Sequence, residues 1–158
     1  MAAITDLLRP ESPRFLTVDC DDAAFGRLYL RLLEEHPSAT VRLIRGKRSR
    51  KAGDFLAETA AALQFPLYFG GGWNGFEECI RQYWIPTSAI VGLVAGAESL
   101  FADDTASAWE AFTGIVNDTR DAPGPSVRFV FQAGGQAARL LRSHIESHGG
   151  SVANIALP

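Results

Sequence analysis

The sequence has little of what disulfide-linked, metal-binding or membrane-spanning proteins need. Only two of its 158 residues are cysteines, Cys20 and Cys79, which is too few for a disulfide scaffold and lacks metal-ligand spacing. We therefore expect reduced, mostly buried thiols in a reducing compartment. The first residues, MAAITDLLRPESPRF, contain no basic leader and no long apolar run. This predicts no signal peptide, no membrane span and a cytoplasmic location.

A strong excess of one charge is also missing. The net charge is -3 and the isoelectric point is about 5.6, which argues against direct nucleic-acid binding and allows a basic partner. Apolar residues make up 47% of the chain and charged residues 21%, so we expect a packed core. No repeat, low-complexity tract or composition shift marks a boundary. Residues 1–158 are therefore predicted to form a single domain.

Apolar periodicity predicts strands that alternate with helices. Strands are predicted at 14–20, 40–45, 88–94 and 127–132, with a fifth in SVANIAL at 151–157. Helices are predicted to begin near Asp22, Asp54, Asn74, Thr105 and Gln136. Because short links join most of these elements, the order implies right-handed crossovers. The fold class is α/β, with a mostly parallel sheet of three to five strands flanked by helices.

A glycine run matches a nucleotide-binding pattern without its context. Residues 70–75, GGGWNG, satisfy G-x-G-x-x-G, but that mechanism needs a strand directly before the loop and a helix N-terminus after it. A predicted helix and FPLY precede the run, and Pro66 disfavours a central strand. Bulky Trp73 also occupies a position where the backbone must approach the ligand closely. The run therefore does not predict a dinucleotide site.

Two further patterns are better explained structurally than chemically. Gly134 and Gly135 lie between a predicted strand and a predicted helix. Their amides suit an anion, but a tight turn is the favoured interpretation. His144 and His148 have the i, i+4 spacing of zinc-protease histidines, but Ile145 replaces the required glutamate and no third ligand is evident. We expect no metal, no cofactor and no catalytic residue.

The helix predicted over 74–83 has one apolar face and one polar face. The inward stripe consists of Phe76, Cys79, Ile80 and Tyr83. Cys79 is therefore predicted to be a core residue rather than a nucleophile. The opposite face carries Asn74 and Glu78 at i, i+4, with Glu77 and Arg81 beside them.

Residues 66–80 resemble the barstar family, the inhibitors of barnase. The family pattern is approximately Pro-x-Tyr-[Phe/Tyr]-Gly-x-Asn-[Trp/Leu]-Asp-Ala-[Leu]-x-Asp-Cys-Leu, and the matching residues are Pro66, Tyr68, Phe69, Gly70, Trp73, Cys79 and Ile80. The resemblance covers about 40–132 and implies a parallel three-stranded sheet. Strands 88–94 and 127–132 would be the second and third strands. Residues 1–38 and 133–158 lie outside it, as extensions that can add strands.

The resemblance implies a partner and a binding surface. Family members plug the active site of a small basic ribonuclease with the helix after the glycine turn and the loop before it. The implied partner-binding residues are Tyr68, Gly70, Gly71, Gly72, Trp73, Asn74, Glu77 and Glu78. Carboxylates on this helix can replace RNA phosphates against the cations of the nuclease. Tyr68 can act as a rigid aromatic anchor.

Several departures from the family pattern keep alternatives open. Gly72 replaces the Asn of the family pattern, Asn74 replaces its first Asp, and Gly75 replaces its Ala. Glu78 takes the place of the second Asp, and it keeps the negative charge on a longer side chain. A later family acid falls at Gly114. The leading hypothesis is a cytoplasmic immunity protein that blocks a nuclease toxin. The alternative is a barstar-fold interaction module with a different protein partner, and a small-molecule enzyme comes third.

Overall fold

In a computed structural model, described for residues 4–82 and 86–157, the chain forms one five-stranded, all-parallel sheet. The strands are β1 (Phe15–Val18), β2 (Ala39–Arg45), β3 (Ala89–Ala95), β4 (Ser126–Gln132) and β5 (Val152–Asn154). Their order in the sheet is β2-β3-β4-β1-β5. The predicted α/β class with a mostly parallel sheet is thus confirmed. Both terminal extensions contribute a strand, β1 and β5.

Five helices cover the sheet. They are α1 (Asp22–Glu35), α2 (Ala52–Leu63), α3 (Trp73–Arg81), α4 (Ala106–Asp118) and α5 (Gly135–Ser147). Each lies close to its predicted position. β1 ends before the predicted residue 20 because Asp21 already caps α1, accepting a hydrogen bond from the amide of Ala24 at 2.7 Å. The predicted helix 74–83 ends at Arg81, and Tyr83 lies outside the described residues.

The connections place the helices on two faces of the sheet. From β1 the chain crosses to the far edge at β2, with α1 packed on one face. It then returns through β3 and β4 to β5, with α2, α3, α4 and α5 packed on the other face. Right-handed crossovers require this arrangement, since the chain reverses its direction across the sheet. Strands β3 and β4 are covered on both sides and are buried almost throughout.

An aromatic cluster holds α3 against the rest of the protein. The ring of Phe112 on α4 lies 4.9 Å from that of Phe129 in β4 and 5.2 Å from that of Phe55 on α2. Phe76 on α3 adds its ring 6.1 Å from Phe55. Edge-to-face contacts at these distances stabilise the core beyond the burial of area alone. The cluster therefore makes α3 a rigid part of the fold.

No helix in the described part of the chain is long and apolar enough to cross a membrane.

Candidate protein-binding surface

The turn between α2 and α3 points two large side chains into solvent. Helix α2 ends at Leu63, and its C-cap Gln64 has a left-handed φ of 56°. The chain then turns so that the amide of Phe69 donates to the carbonyl of Pro66 at 2.9 Å. The rings of Phe65 and Phe69 pack together at 5.2 Å beneath this turn. Tyr68 is consequently 74% exposed and Leu67 is fully exposed.

The two faces of α3 follow the predicted pattern. Phe76, Cys79 and Ile80 are buried, which confirms three members of the apolar stripe. Trp73 is half-buried, and its ring lies 5.6 Å from Phe76 and 6.1 Å from Phe101. Trp73 therefore packs mainly against the core, and its exposed part borders the candidate surface.

The other candidate residues differ in exposure. Those open to solvent are Tyr68, Gly70, Gly71, Gly72, Asn74 and Glu78, while Glu77 is half-buried. They lie close together along the chain, in the turn and the first two turns of α3. We name the exposed and half-buried side chains and backbone within residues 67–78 the turn–helix surface; buried Phe76 is not part of it. Its role in partner binding remains a prediction.

Of the two adjacent carboxylates on α3, only that of Glu78 has no ion pair with a described residue. Glu77 Oε1 lies 3.0 Å from Nη2 of Arg81, one turn further along the helix. The same Nη2 lies 3.9 Å from Oδ2 of Asp118 on α4. Among the described residues no cationic nitrogen lies within 4.0 Å of Glu78. Glu78 is therefore the unpaired acid of the surface. Asp118 was not identified from the sequence, because nothing in it showed that the end of α4 meets Arg81.

The glycines of the turn–helix surface have different structural roles. Gly71 has a φ of 84°, in the left-handed region that favours glycine. A Cβ at Gly75 would lie 3.0 Å from Cδ2 of Phe69. At Gly70 and Gly72 an added Cβ would meet nothing within 4 Å, and neither residue has a positive φ. The fold does not require glycine at these two positions. Their bare, exposed backbone leaves room for a partner to approach closely.

This difference predicts opposite effects of two neighbouring substitutions on stability. Gly70→Ala should leave the free energy of unfolding unchanged or raise it by up to about 1 kcal/mol, because alanine restricts the unfolded chain. Gly71→Ala should lower it by about 1–2 kcal/mol, because a left-handed φ strains alanine. Urea denaturation measures both. A Gly70→Ala loss as large as that of Gly71→Ala would contradict the turn geometry.

The two thiols should also differ in reactivity. Burial, and then the charge of Glu78, raises the pKa of the Cys79 thiol, which is 4% exposed. Burial, followed by neighbouring aspartates, raises the pKa of the partly exposed Cys20. At pH 8 a disulfide reagent should label Cys20 slowly and Cys79 only on unfolding. A Cys20→Ser variant isolates Cys79, and fast native labelling of that variant would show that α3 is misoriented.

A cavity of about 520 Å³ lies at the carboxyl ends of the strands, away from the turn–helix surface. It adjoins the point where the loops after β1 and β4 leave for opposite faces of the sheet, a position where α/β proteins bind ligands. The turn after β1, DCDDAAFG, has no phosphate-binding glycine-lysine motif. The cavity lining carries both acids, Asp22 and Glu98, and cations, Arg45, Lys47 and Arg48. Cys20 lines the cavity, and no histidine is among the described residues that line it.

The remaining sequence patterns have structural roles. The glycine run begins after a turn, and Gly72 is the N-cap of α3. Gly134 is the N-cap of α5, and the carboxylate of Asp19 lies so close to it that an added Cβ would clash with that carboxylate. The His144 ring stacks on Trp109 with centroids 5.5 Å apart. In the part of the chain that the structure describes, no cluster of three potential ligands could hold a metal ion.

The parallel α/β fold alone does not define a function, but comparison with protein families gives a match. The family model described as Barstar (barnase inhibitor) matches residues 39–132, more than half of the chain. The chain therefore belongs to the barstar family. Membership implies a protein partner. No curated protein matches the chain.

Solved structures resemble the whole fold rather than its family segment. The crystal structure of Cdc6p from Pyrobaculum aerophilum matches with a TM-score of 0.58 and 17% identity, over 96% of this chain and 41% of that chain. The ORC2 protein of Aeropyrum pernix, in ADPNP and ADP complexes, matches with a TM-score of 0.61 and 10% identity, over 97% and 45%. The chain thus spans less than half of each structure. At these identities the likeness concerns the fold alone.

Proposed function

We propose that this chain inhibits a basic ribonuclease by placing its turn–helix surface in the nuclease active site. The observation that carries this proposal is the exposed carboxylate of Glu78, which has no ion pair with a described residue and lies near the exposed Tyr68 and the bare backbone of Gly70 and Gly72. A ribonuclease active site presents cations that bind RNA phosphates. Glu78 offers those cations a charge-assisted partner on a rigid helix.

The proposed interface combines a charged centre with an aromatic anchor. Tyr68 loses few rotameric states on binding, and its ring brings a large contact area and a hydroxyl group. Helix α3 is fixed by Phe76 in the core, so the carboxylate of Glu78 needs little reorganisation. The chain's net charge of -3 adds a weak attraction toward a basic protein. We also propose that it acts in the cytoplasm and by binding rather than by catalysis.

A second candidate function is an interaction module whose partner is not a nuclease. Fully exposed Leu67 beside Tyr68 favours it, because together they form an apolar projection at the edge of the surface. Asn74 and Gly114 also remove two of the acids that the family pattern contains. A partner with an apolar pocket and a single cation would suit this surface.

Depletion of ribonuclease activity distinguishes the two functions. The wild-type chain and a Tyr68→Ala/Glu78→Ala double variant are immobilised. Each is exposed to purified barnase as a defined probe and to extract of the host. The inhibitor proposal predicts that wild type alone retains barnase or removes ribonuclease activity from the extract. A retained protein without ribonuclease activity would favour the interaction module. If both immobilised proteins retained the same partner equally well, the turn–helix surface would be excluded as the binding site.

A further inference from the structure

One buried side chain ties together the walls of the cavity at the carboxyl ends of the strands. Gln132, the last residue of β4, lines this cavity and is 7% exposed. Its Nε2 donates to the carbonyl of Cys20 at 3.1 Å and to Oδ1 of Asp22 at 2.9 Å. Its Oε1 accepts from the amide of Gly96 at 2.9 Å. The segments that follow β1 and β3 are thus fixed to the end of β4, and the cavity between them has rigid walls.

The basic turn after β2 forms a further wall and is also held in place. Ser49 is completely buried, and its hydroxyl donates to the carbonyl of Arg45 at 2.9 Å. The amide of Phe101 donates to the carbonyl of Ser49 at 3.0 Å. Lys47 and Arg48 on this turn are exposed and line the cavity. Neither side chain forms a hydrogen bond or an ion pair with a described residue. Both cations are therefore available to a ligand.

The rest of the lining combines apolar side chains with a few charges. The apolar part consists of Phe25, Leu43, Ala95 and Ala133. The third cation, Arg45, is already neutralised by Glu58, with Nε and Oε1 2.6 Å apart. The acids Asp22 and Glu98 would repel any additional negative charge on a ligand. This balance suits a ligand with one negative charge better than a polyphosphate.

We propose that this cavity binds a small organic anion, which carries a single negative charge on an apolar body. The charged group binds to Lys47 and Arg48, and the apolar body covers Leu43, which is 40% exposed in the free protein. The volume of about 520 Å³ lies within the range of roughly 300–1,000 Å³ that small-molecule sites occupy. Because the cavity is separate from the turn–helix surface, this proposal does not depend on the proposed function.

The fluorescent dye anilinonaphthalene sulfonate tests this proposal, because it is a monoanion with an apolar aromatic body. Phenylnaphthylamine is the matched neutral compound, since it lacks only the sulfonate. We expect the fluorescence of the anionic dye to rise on titration with the native protein and to saturate at one dye per chain. The neutral compound should bind about five-fold more weakly or worse, because it cannot pair with the two cations.

A cavity-filling variant locates the site. Gly26 on α1 lines the cavity, and an added Cβ there would meet nothing within 4 Å. Gly26→Leu should therefore fill the cavity and remove the saturable dye signal without lowering the melting temperature, since leucine favours a helix. Gly53→Leu is the matched control. Gly53 is exposed on α2, has equal room for a Cβ and does not line the cavity, so dye binding should not change.

A charge variant tests the role of the two cations. Lys47→Gln/Arg48→Gln should weaken binding of the anionic dye by about five-fold or more and leave binding of the neutral compound unchanged. Lys51→Gln/Arg139→Gln removes the same net charge from exposed residues outside the cavity, and it should bind the dye like the wild type.

The absence of a saturable dye signal with the native wild-type protein would overturn the proposal. Equal affinity of the wild type for the anionic and the neutral compound would overturn the assignment of an anion. Unchanged dye binding by a folded Gly26→Leu variant would overturn the assignment of the cavity.

Discussion

Glu78→Ala should weaken binding to the partner nuclease by more than about 2 kcal/mol, or at least thirty-fold in the dissociation constant. Glu78 is exposed and has no ion pair among the described residues, so its carboxylate is available to the partner's cations. Its removal leaves those cations buried and unpaired in the complex, which accounts for much of the cost. Surface plasmon resonance with the purified nuclease measures the effect, and circular dichroism confirms folding.

Matched variants distinguish the contribution of the Glu78 carboxylate to binding from that of the neighbouring Glu77. Glu77→Ala removes an equal charge one residue away, but Glu77 already pairs with Arg81 at 3.0 Å, so the loss of affinity should be smaller. Glu78→Asp restores the family residue and should retain most of the affinity. If Glu77→Ala cost more than Glu78→Ala, the assignment of the free acid would be wrong.

Phe76→Ala should lower the free energy of unfolding by about 3–5 kcal/mol, the range for truncating a buried phenylalanine. Phe76 is completely buried, and its ring contacts those of Phe55, Phe65, Trp73 and Phe112. The cavity would open between α3 and the rest of the core. Chemical denaturation monitored by circular dichroism measures the loss.

Tyr68→Ala is the control for this prediction. Tyr68 is 74% exposed, so its removal should change the free energy of unfolding by less than about 0.5 kcal/mol while weakening partner binding. A small effect of Phe76→Ala on stability, or a large one of Tyr68→Ala, would contradict the buried position of Phe76 and the exposed position of Tyr68.

Salt should affect the association rate in a predictable direction. Charges attract the partners before contact, and this attraction is screened over about 10 Å at 0.1 M ionic strength. The association rate constant should fall as salt rises, while the dissociation rate constant changes less. A rate independent of salt would argue against a basic partner.

The fold was largely predictable because its strongest signals are local. The apolar runs of β3 and β4 predict strands buried on both faces, and the spacing of Phe76, Cys79 and Ile80 predicts the inward face of α3. Turns and caps then follow from glycine, proline and aspartate, as at Asp21 before α1. Each inference needs only residues a few positions apart.

The features that sequence reasoning missed depend on contacts between distant segments. Arg128 in VRFVFQ gives no local sign that it is buried against Arg14, 114 residues earlier in the chain. The pairing of Arg81 with Asp118 depends on how α3 and α4 pack. The full exposure of Leu67 depends on the turn that follows Pro66. Such relations appear only once the crossovers bring the segments together.

The most direct test of the central claim is ribonuclease activity measured while this chain is titrated in, at two RNA concentrations. If the turn–helix surface fills the active site, activity should fall to zero at one equivalent, and excess RNA should relieve the inhibition. The Glu78→Ala variant should require a large excess to reach the same inhibition. Full activity at several equivalents, or inhibition that RNA cannot relieve, would contradict the claim that this chain blocks the active site.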